Sequence, residues 1–416
     1  MAQLSDDCFA FGGPMMSVDE AVALIGERLH TIAGSQAVPL MEADGRILSS
    51  DLLAGIPLPP FTNSAVDGYA VRSADLGNGV TRLPVAGRIE AGASASTLQN
   101  KSAIRIFTGA PMPVGFDTVY MQEDVTIGVD GHVELPAGLK SGANVRPAGE
   151  DIGKSGIAIA AGSRLTPAHV ALAAALGRTH LTVARKLKVA VFSTGNELVS
   201  PGQSQSPPQV YDSNRFMLMA LLQRLGCNVA DLGILRDDRA VLARALASAA
   251  EDHDFILTSG GVSTGDADHV KGAVEDVGKL TFWRMAIKPG RPVAMGMISG
   301  TPFIGLPGNP VASYVTQAYV VRPAILALMG ARPAPLMALP VRSAFSYKKK
   351  VGRREFARAN LMRAPDGVIE AVKFPREGAG LLSSLVETDG LIELREDITH
   401  VEPGDSVDFI PYASLY

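Results

Sequence analysis

Five short stretches between residues 193 and 310 hold the side chains that could do chemistry, and each follows an apolar run. They are Ser193-Thr194-Gly195-Asn196-Glu197, Arg236-Asp237-Asp238, the stretch SGGVSTGDAD from Ser259 to Asp268, Lys288-Pro289-Gly290-Arg291, and Leu306-Pro307-Gly308-Asn309-Pro310. Consecutive backbone N–H groups at Gly260 and Gly261 suit a phosphate, because glycine lets the main chain approach an anion closely. Lys288 and Arg291 add positive charge on a Pro-Gly turn. The set also carries Glu197, Asp237, Asp238, Asp266 and Asp268. Carboxylates facing an anion repel it unless a hard cation stands between them. Mg²⁺ held by one or two carboxylates plus substrate phosphates meets that need. The set therefore matches a phosphoanhydride-processing site better than a plain anion receptor.

Each stretch alone has an ordinary structural reading. Ser193-Thr194-Gly195 can be a strand-to-loop turn, Pro289-Gly290 a turn, and Asp238 or Asn309 the N-cap of a following helix. Gly261-Val262-Ser263-Thr264-Gly265 matches the G-x-S-x-G nucleophile elbow. An elbow needs its serine at the strand end, and Ser259-Gly260-Gly261 interrupts the strand first. Of the downstream histidines, His269 is too close and His400 lies in another segment. Ser263 is therefore expected to donate a hydrogen bond, and His269 to sit near a helix start. No H-E-x-x-H, Walker A or Rossmann glycine pattern occurs.

These stretches need a frame that brings them to one rim, and the alternation of strand and helix from Lys186 to Gly330 predicts one. Strands are expected at Leu187–Phe192, Val229–Leu232, Phe255–Thr258, Leu280–Trp283, Val293–Met297 and Phe303–Leu306. Helices are expected at Ser213–Leu225, Asp238–Ala250, Ala267–Val277 and Val311–Met329. That order implies a doubly wound parallel sheet, whose strand carboxyl ends form the ligand crevice.

Other segments differ in texture. Ser17-x-x-Glu20 is a capping box opening an amphipathic helix, and Thr166–Gly177 is a second helix with Pro167 at its first position. Short apolar runs between Val66 and Asn144, broken by Gly, Pro, Asn and Asp, predict a small β domain. After Ala331–Pro335 the chain returns to short strands and turns, predicting a small barrel or sandwich. The expected division is residues 1–52 with 145–180 as a helical and linker part, 53–144 as an inserted β domain, 181–330 as the α/β domain and 331–416 as a C-terminal β domain.

The chain has 416 residues, 47% of them hydrophobic, with a net charge of -4. The basic run Lys348-Lys349-Lys350 with Arg353-Arg354 reads as a solvated hairpin face, so no nucleic-acid partner is expected. Cys8 and Cys227 cannot form a C-x-x-C metal site. The acidic N-terminus shows no signal peptide, and no apolar run is long enough for a membrane span, so a cytoplasmic protein is expected.

Three further segments lie outside the α/β part. Asn63-Ser64-Ala65-Val66-Asp67-Gly68-Tyr69-Ala70 could be a hairpin turn at Asp67-Gly68. Arg105–Pro113 (RIFTGAPMP) could be a strand ending in a loop, and Asn144–Asp151 (NVRPAGED) a turn with a local Arg–Asp pair. In order, PPFTNSAVDGYA, RIFTGAPMP, NVRPAGEDI, STGNEL, SGGVSTGDAD, IKPGRP and GLPGNP closely resemble the motifs of the molybdopterin molybdenumtransferases, the MoeA and gephyrin E-domain family.

The resemblance spans nearly the whole chain and implies a MogA-like α/β molybdopterin-binding domain. Around it the family has an N-terminal helical segment with an inserted β domain, and a C-terminal β domain. It implies a transferase that takes adenylylated molybdopterin, releases AMP with help from Mg²⁺, and places molybdate on the dithiolene sulfurs. It further implies a homodimer with a shared site and a molybdopterin adenylyltransferase as upstream partner.

Carried over by motif, the catalytic positions are Asp67, Thr108, Glu197, Asp237, Asp268 and Lys288, with Glu197, Asp237 and Asp268 also serving the metal. Asp67 and Thr108 are expected to reach in from the neighbouring subunit. Binding positions are Ser193, Thr194, Gly260, Gly261, Ser263, Arg291, Pro307, Gly308, Asn309 and Pro310, with Arg146 and Asp151. Gly352–Ala359 (GRREFARA) resembles a segment near the family's site. Asn196 and Thr62 stand where the family commonly has acids, and Arg284 and Arg291 where it has lysines. A scaffold role, and a CinA-like nucleotide phosphohydrolase, are the competing readings. The motifs around Asp67, Thr108 and Arg146 count against the phosphohydrolase.

Overall fold

The S-x-x-E box forms as its spacing predicts. Ser17 precedes helix α1 (Val18–Arg28), its hydroxyl accepts the Glu20 N–H at 3.2 Å, and Glu20 accepts the Ser17 N–H at 2.8 Å. Val18, Ala21 and Ile25 bury one face. The computed structural model describes residues 15–93, 101–261 and 269–416. Beyond α1, Ser35–Pro39 pairs antiparallel with His180–Ala184, and Leu52–Leu53 pairs with Ile157–Ile159. The inserted sheet is entered and left through one short ladder, where Asn63–Ser64 faces Val145–Arg146. Its six strands run in the order Thr118–Met121, Gly68–Val71, Ala103–Ile106, Thr81–Ile89, His132–Leu135, Thr126–Ile127.

The α/β part follows the expected alternation: β1 (Lys188–Thr194), α2 (Asn214–Arg224), β2 (Asn228–Leu235), α3 (Arg239–Asp252), β3 (Phe255–Ser259), α4 (His269–Val277), β4 (Gly278–Arg284), β5 (Ile287–Lys288), β6 (Pro292–Ile298), β7 (Thr301–Leu306). Its sheet runs β2-β1-β3-β7-β6-β4. β1, β2, β3 and β7 are parallel, whereas β6 is antiparallel to both β7 and β4. The sheet is therefore mixed, a correction to the all-parallel expectation. Short links from β4 to β7, without an intervening helix, permit hairpin-like returns in place of crossovers. Val189, Val191 and Leu257 face one core, while Ala190, Phe192 and Ile256 face the other. Helices on both faces leave the strands buried twice over, hence their continuous apolar runs.

The predicted last helix is present but not uniform: α5 (Pro310–Thr316), a π turn (Gln317–Val321) and α6 (Arg322–Leu328). Together Pro310–Leu328 are long and apolar enough to cross a membrane, yet most of that length is buried against the sheet and α1. It is a core helix.

After residue 338 the strands β8 (Leu339–Ser343), β9 (Arg354–Arg363), β10 (Ile369–Lys373), β11 (Gly390–Leu394) and β12 (Ser406–Pro411) close into a barrel, because β9 pairs with both β10 and β11. β5 adds to it in parallel, with Ile287 opposite Arg354 and Lys288 opposite Glu355. The basic run that leads into β9 is a solvated face only at Lys348 and Lys350. Lys349 and Arg354 are buried, and Arg354 is held by Asp19, Glu393 and Glu396. Carboxylates from α1 and the barrel make burial of that guanidinium tolerable.

Candidate active site

All the strand ends expected to carry chemistry do meet at one rim. β1, β2, β3 and β7 present their carboxyl ends there. β6 runs the other way, so the loop from β4 to β6 (Lys288–Arg291) reaches the same rim between a strand end and a strand start. The barrel stands over this rim, and a cleft of about 980 Å³ opens between them. Thr194, Glu197, Asp237, Gly260, Gly261, Lys288, Pro307, Gly308 and Asn309 line it.

The glycine cradle is narrower than expected. Gly260 and Gly261 have φ of 85° and 65°, the left-handed region where side chains are strained. A Cβ on Gly261 would stand 2.5 Å from both Thr194 and Val270. The Gly260 N–H is not available to a ligand, because it donates to Leu306 O at 3.0 Å and extends the β3–β7 ladder. Asn309 is the N-cap of α5 with Pro310 at its first position, as its spacing predicts, but its side chain makes no cap bond and the residue lines the cleft. Asp238, by contrast, is a cap: its carboxylate accepts the Val241 N–H at 2.9 Å. Asn214, which sequence reasoning missed, ties two rim loops together by donating to Ser259 Oγ at 2.8 Å and Gly308 O at 2.7 Å.

Glu197 is exposed and Asp237 half-buried, and neither forms an ion pair among the described residues. Two unpaired carboxylates in a cleft otherwise rich in cations fit a hard divalent ion completed by substrate oxygens. Among the described residues no three His, Cys, Asp or Glu gather as a metal-holding group. Asp266 and Asp268, together with Ser263, lie outside the described residues.

The barrel supplies the opposite wall: Tyr347, Glu355, Arg358, Lys373, Arg376 and Glu377. Of these, only the GRREFARA stretch was legible in the sequence. Glu355, 2% exposed, accepts from Tyr347 Oη at 2.7 Å, Lys288 Nζ at 3.1 Å and Arg353 Nε at 2.6 Å. Burial pushes this carboxyl up, but those three donors outweigh it and hold it below the usual carboxylate range. Burial also opposes the Lys288 charge, and bonds to Tyr347 and Glu355 outweigh it, so the ammonium is held above its ordinary value. Burial raises the Tyr347 phenol, which stays protonated and donates.

Several predicted positions lie away from this cleft in the single chain. Ser193 is buried and donates to Asp212 Oδ1 at 3.1 Å, bracing the Asp212–Arg215 pair. Arg291 is exposed and Pro310 is the first residue of α5, and neither lines the cleft. Arg146 and Asp151 are exposed and unpaired with each other among the described residues, so the local-pair reading fails too. Asp67 is no hairpin turn: it accepts the Thr108 N–H and hydroxyl, both at 2.8 Å, and these bonds hold its carboxyl below the usual range. That pair sits in the inserted sheet. Cys227 is a free buried thiol, pushed up to about 12 by burial, and so inert as a nucleophile.

Three family models match the chain in order: the MoeA N-terminal region (domain I and II) over residues 16–177, a probable molybdopterin binding domain over 190–327, and the MoeA C-terminal region (domain IV) over 340–412. A molybdopterin molybdenumtransferase of Haemophilus influenzae is 39% identical over 406 residues, covering 96% of this chain and 100% of that protein. The chain belongs to the MoeA family of molybdopterin molybdenumtransferases. Molybdopterin molybdenumtransferase 2 of Mycobacterium tuberculosis is a further MoeA relative, 37% identical over 404 residues and covering 94% of this chain and 98% of its own length. The crystal structure of a molybdopterin biosynthesis MoeA protein from Pyrococcus horikoshii matches with a TM-score of 0.81 at 27% identity, over 96% of this chain and 100% of that one. As a MoeA protein the chain is a transferase of molybdenum cofactor biosynthesis that acts by molybdenum insertion. The phosphohydrolase reading, which concerns the α/β part alone, accounts for none of the match outside it.

Proposed function

We propose that the cleft takes adenylylated molybdopterin, breaks its phosphoanhydride to release AMP, and inserts molybdate at the dithiolene sulfurs. The observation that carries this is the division of charge across the cleft. Glu197 and Asp237 stand unpaired on the α/β rim, while Lys288, Arg358, Lys373 and Arg376 stand on or beside the barrel wall and outnumber its two acids, Glu355 and Glu377. A purely anionic ligand explains the second wall and not the first. A pyrophosphate with a divalent cation, next to a separate oxyanion, explains both.

In this reading Glu197 and Asp237 hold Mg²⁺, with Asp268 as the third acid. The ion would neutralise charge building on the phosphate oxygens as the anhydride opens. Gly261 and Gly308 leave room for the pyrophosphate and pterin beside Thr194 and Asn309. Lys288, fixed by Glu355 and Tyr347, orients molybdate without having to find its place at each turnover. Asp67 and Thr108 serve the cleft of the partner subunit in a homodimer, with Arg146 on the connecting ladder and Asp151 in the segment after it. We place the reaction in the cytoplasm, downstream of an adenylyltransferase.

Glu197→Gln and Asp237→Asn test the metal wall. Each is expected to lower Mg²⁺-supported AMP release by about a hundredfold or more, on the scale of one lost electrostatic contact to a reacting phosphate. Wild-type rates in both variants, at saturating substrate, would remove the rim carboxylates from the chemistry.

A further inference from the structure

Lys288 has two carboxylate neighbours of different character. Glu355 is 2% exposed and hydrogen-bonded from three sides, so it is a permanent partner. Glu377 is 57% exposed and stands 3.8 Å from Lys288 and 3.6 Å from Lys373. Those separations are ion pairs without hydrogen bonds, and exposed pairs of this kind are weak and easily exchanged. The geometry is bridging: Glu377 Oε2 turns to Lys288 and Oε1 to Lys373. A small oxyanion entering between the two ammonium groups would need the same two directions. No other described acid pairs with Lys373.

We propose that Glu377 is a built-in competitor that sets the charge of the anion accepted between Lys288 and Lys373. The proposal rests on the reading of this cleft as an oxyanion site. Glu355 is shared between Lys288 and Arg353, so Glu377 is the acid that an anion entering between Lys288 and Lys373 must displace. A monoanion displacing Glu377 exchanges one negative charge for another and gains little. A dianion such as molybdate leaves the pocket with one more negative charge on the two lysines and gains the difference. Glu377 thereby weakens binding of every anion by a like factor, and the weakly held monoanions are the ones that no longer compete.

The test titrates molybdate alone, and separately nitrate, into the full-length wild type, Glu377→Gln, and Glu387→Gln. Glu387 ends the short helix after the 373–380 segment, is exposed, and lies outside the cleft, so its variant removes the same charge at a distance. Glu377→Gln is expected to bind molybdate about three- to tenfold more tightly, the scale of two exposed pairs. Nitrate should compete with molybdate in Glu377→Gln, and not in wild type or Glu387→Gln. An unchanged or weaker molybdate affinity in Glu377→Gln overturns the proposal, as does an equal gain in Glu387→Gln. If neither wild type nor Glu377→Gln binds molybdate, the oxyanion reading itself fails. If both bind it alike, that reading stands and only the role of Glu377 falls.

Discussion

The smallest unit that joins the two walls is the contact between Lys288 and Glu355. The carboxylate is almost fully buried, and three donors converge on it. Glu355→Gln would leave Arg353 and Tyr347 short of an acceptor and free Lys288 to move. We expect a loss of about 2–3 kcal/mol in denaturant unfolding, as for one partner removed from a largely buried pair. Because the folded Glu355 carboxyl lies below its ordinary value of 4.5, its contribution is fully present above that pH and disappears as pH falls through the folded value. The gap between wild type and Glu355→Gln should hold from pH 7 to about 5 and close below 4.5, read from denaturant midpoints across that range. A gap that stays constant down to pH 3 contradicts the ion-pair account. At this scale the sequence shows the rim half of the site plainly, since Thr194, Glu197, Asp237 and Lys288 stand in turn-rich stretches after apolar runs. Glu355 was marked only by the resemblance of GRREFARA to a family segment, Tyr347 lies in a barrel segment with no local mark of chemistry, and the pairing of Lys288 with Glu355 brings both to the cleft. No spacing rule spans a separation of 67 positions in the chain.

Among the elements, the barrel decides whether the second wall exists. It closes through β11, where a Cβ on Gly390 would stand 2.3 Å from Ile410 O and 2.5 Å from the Phe409 ring. Both obstacles belong to packed β12, so the strand cannot yield cheaply. Gly390→Ala is expected to cost about 3 kcal/mol or more and to lower the melting temperature of the barrel and its cleft wall together. A melting temperature within about one degree of wild type shows that closure there is loose. The strands and helices were legible because their apolar runs and caps are local signals. Ser17–Glu20 and Asp238 behave as their spacing requires. The antiparallel turn-back of β6 was not, because a strand buried on both faces has the same continuous apolar run whichever way it points. The cap position of Asn309 was legible, and the freedom of its side chain was not, because a cap residue and a cleft-lining residue can occupy the same place before Pro310.

For the whole molecule, Asp67 and Thr108 bond to each other and do not line the cleft of their own chain. A homodimer in which the inserted sheet serves the partner's cleft accounts for both motifs. Light scattering should then give a mass near twice 43.5 kDa. Mixing inactive Asp67→Asn with inactive Glu197→Gln, after subunit exchange, should restore about a quarter of wild-type activity. Half of the random dimers are mixed, and each carries one intact composite site. No recovery on mixing, with exchange verified by a mass label, places Asp67 and Glu197 in the same chain's site or in none. The measurement that bears most directly on the central claim is AMP release from adenylylated molybdopterin with Mg²⁺, followed with and without molybdate. Coupled insertion predicts that AMP appears quickly only when molybdate is present, together with molybdenum bound to the pterin product. Equal AMP release without molybdate, or none under either condition, contradicts it.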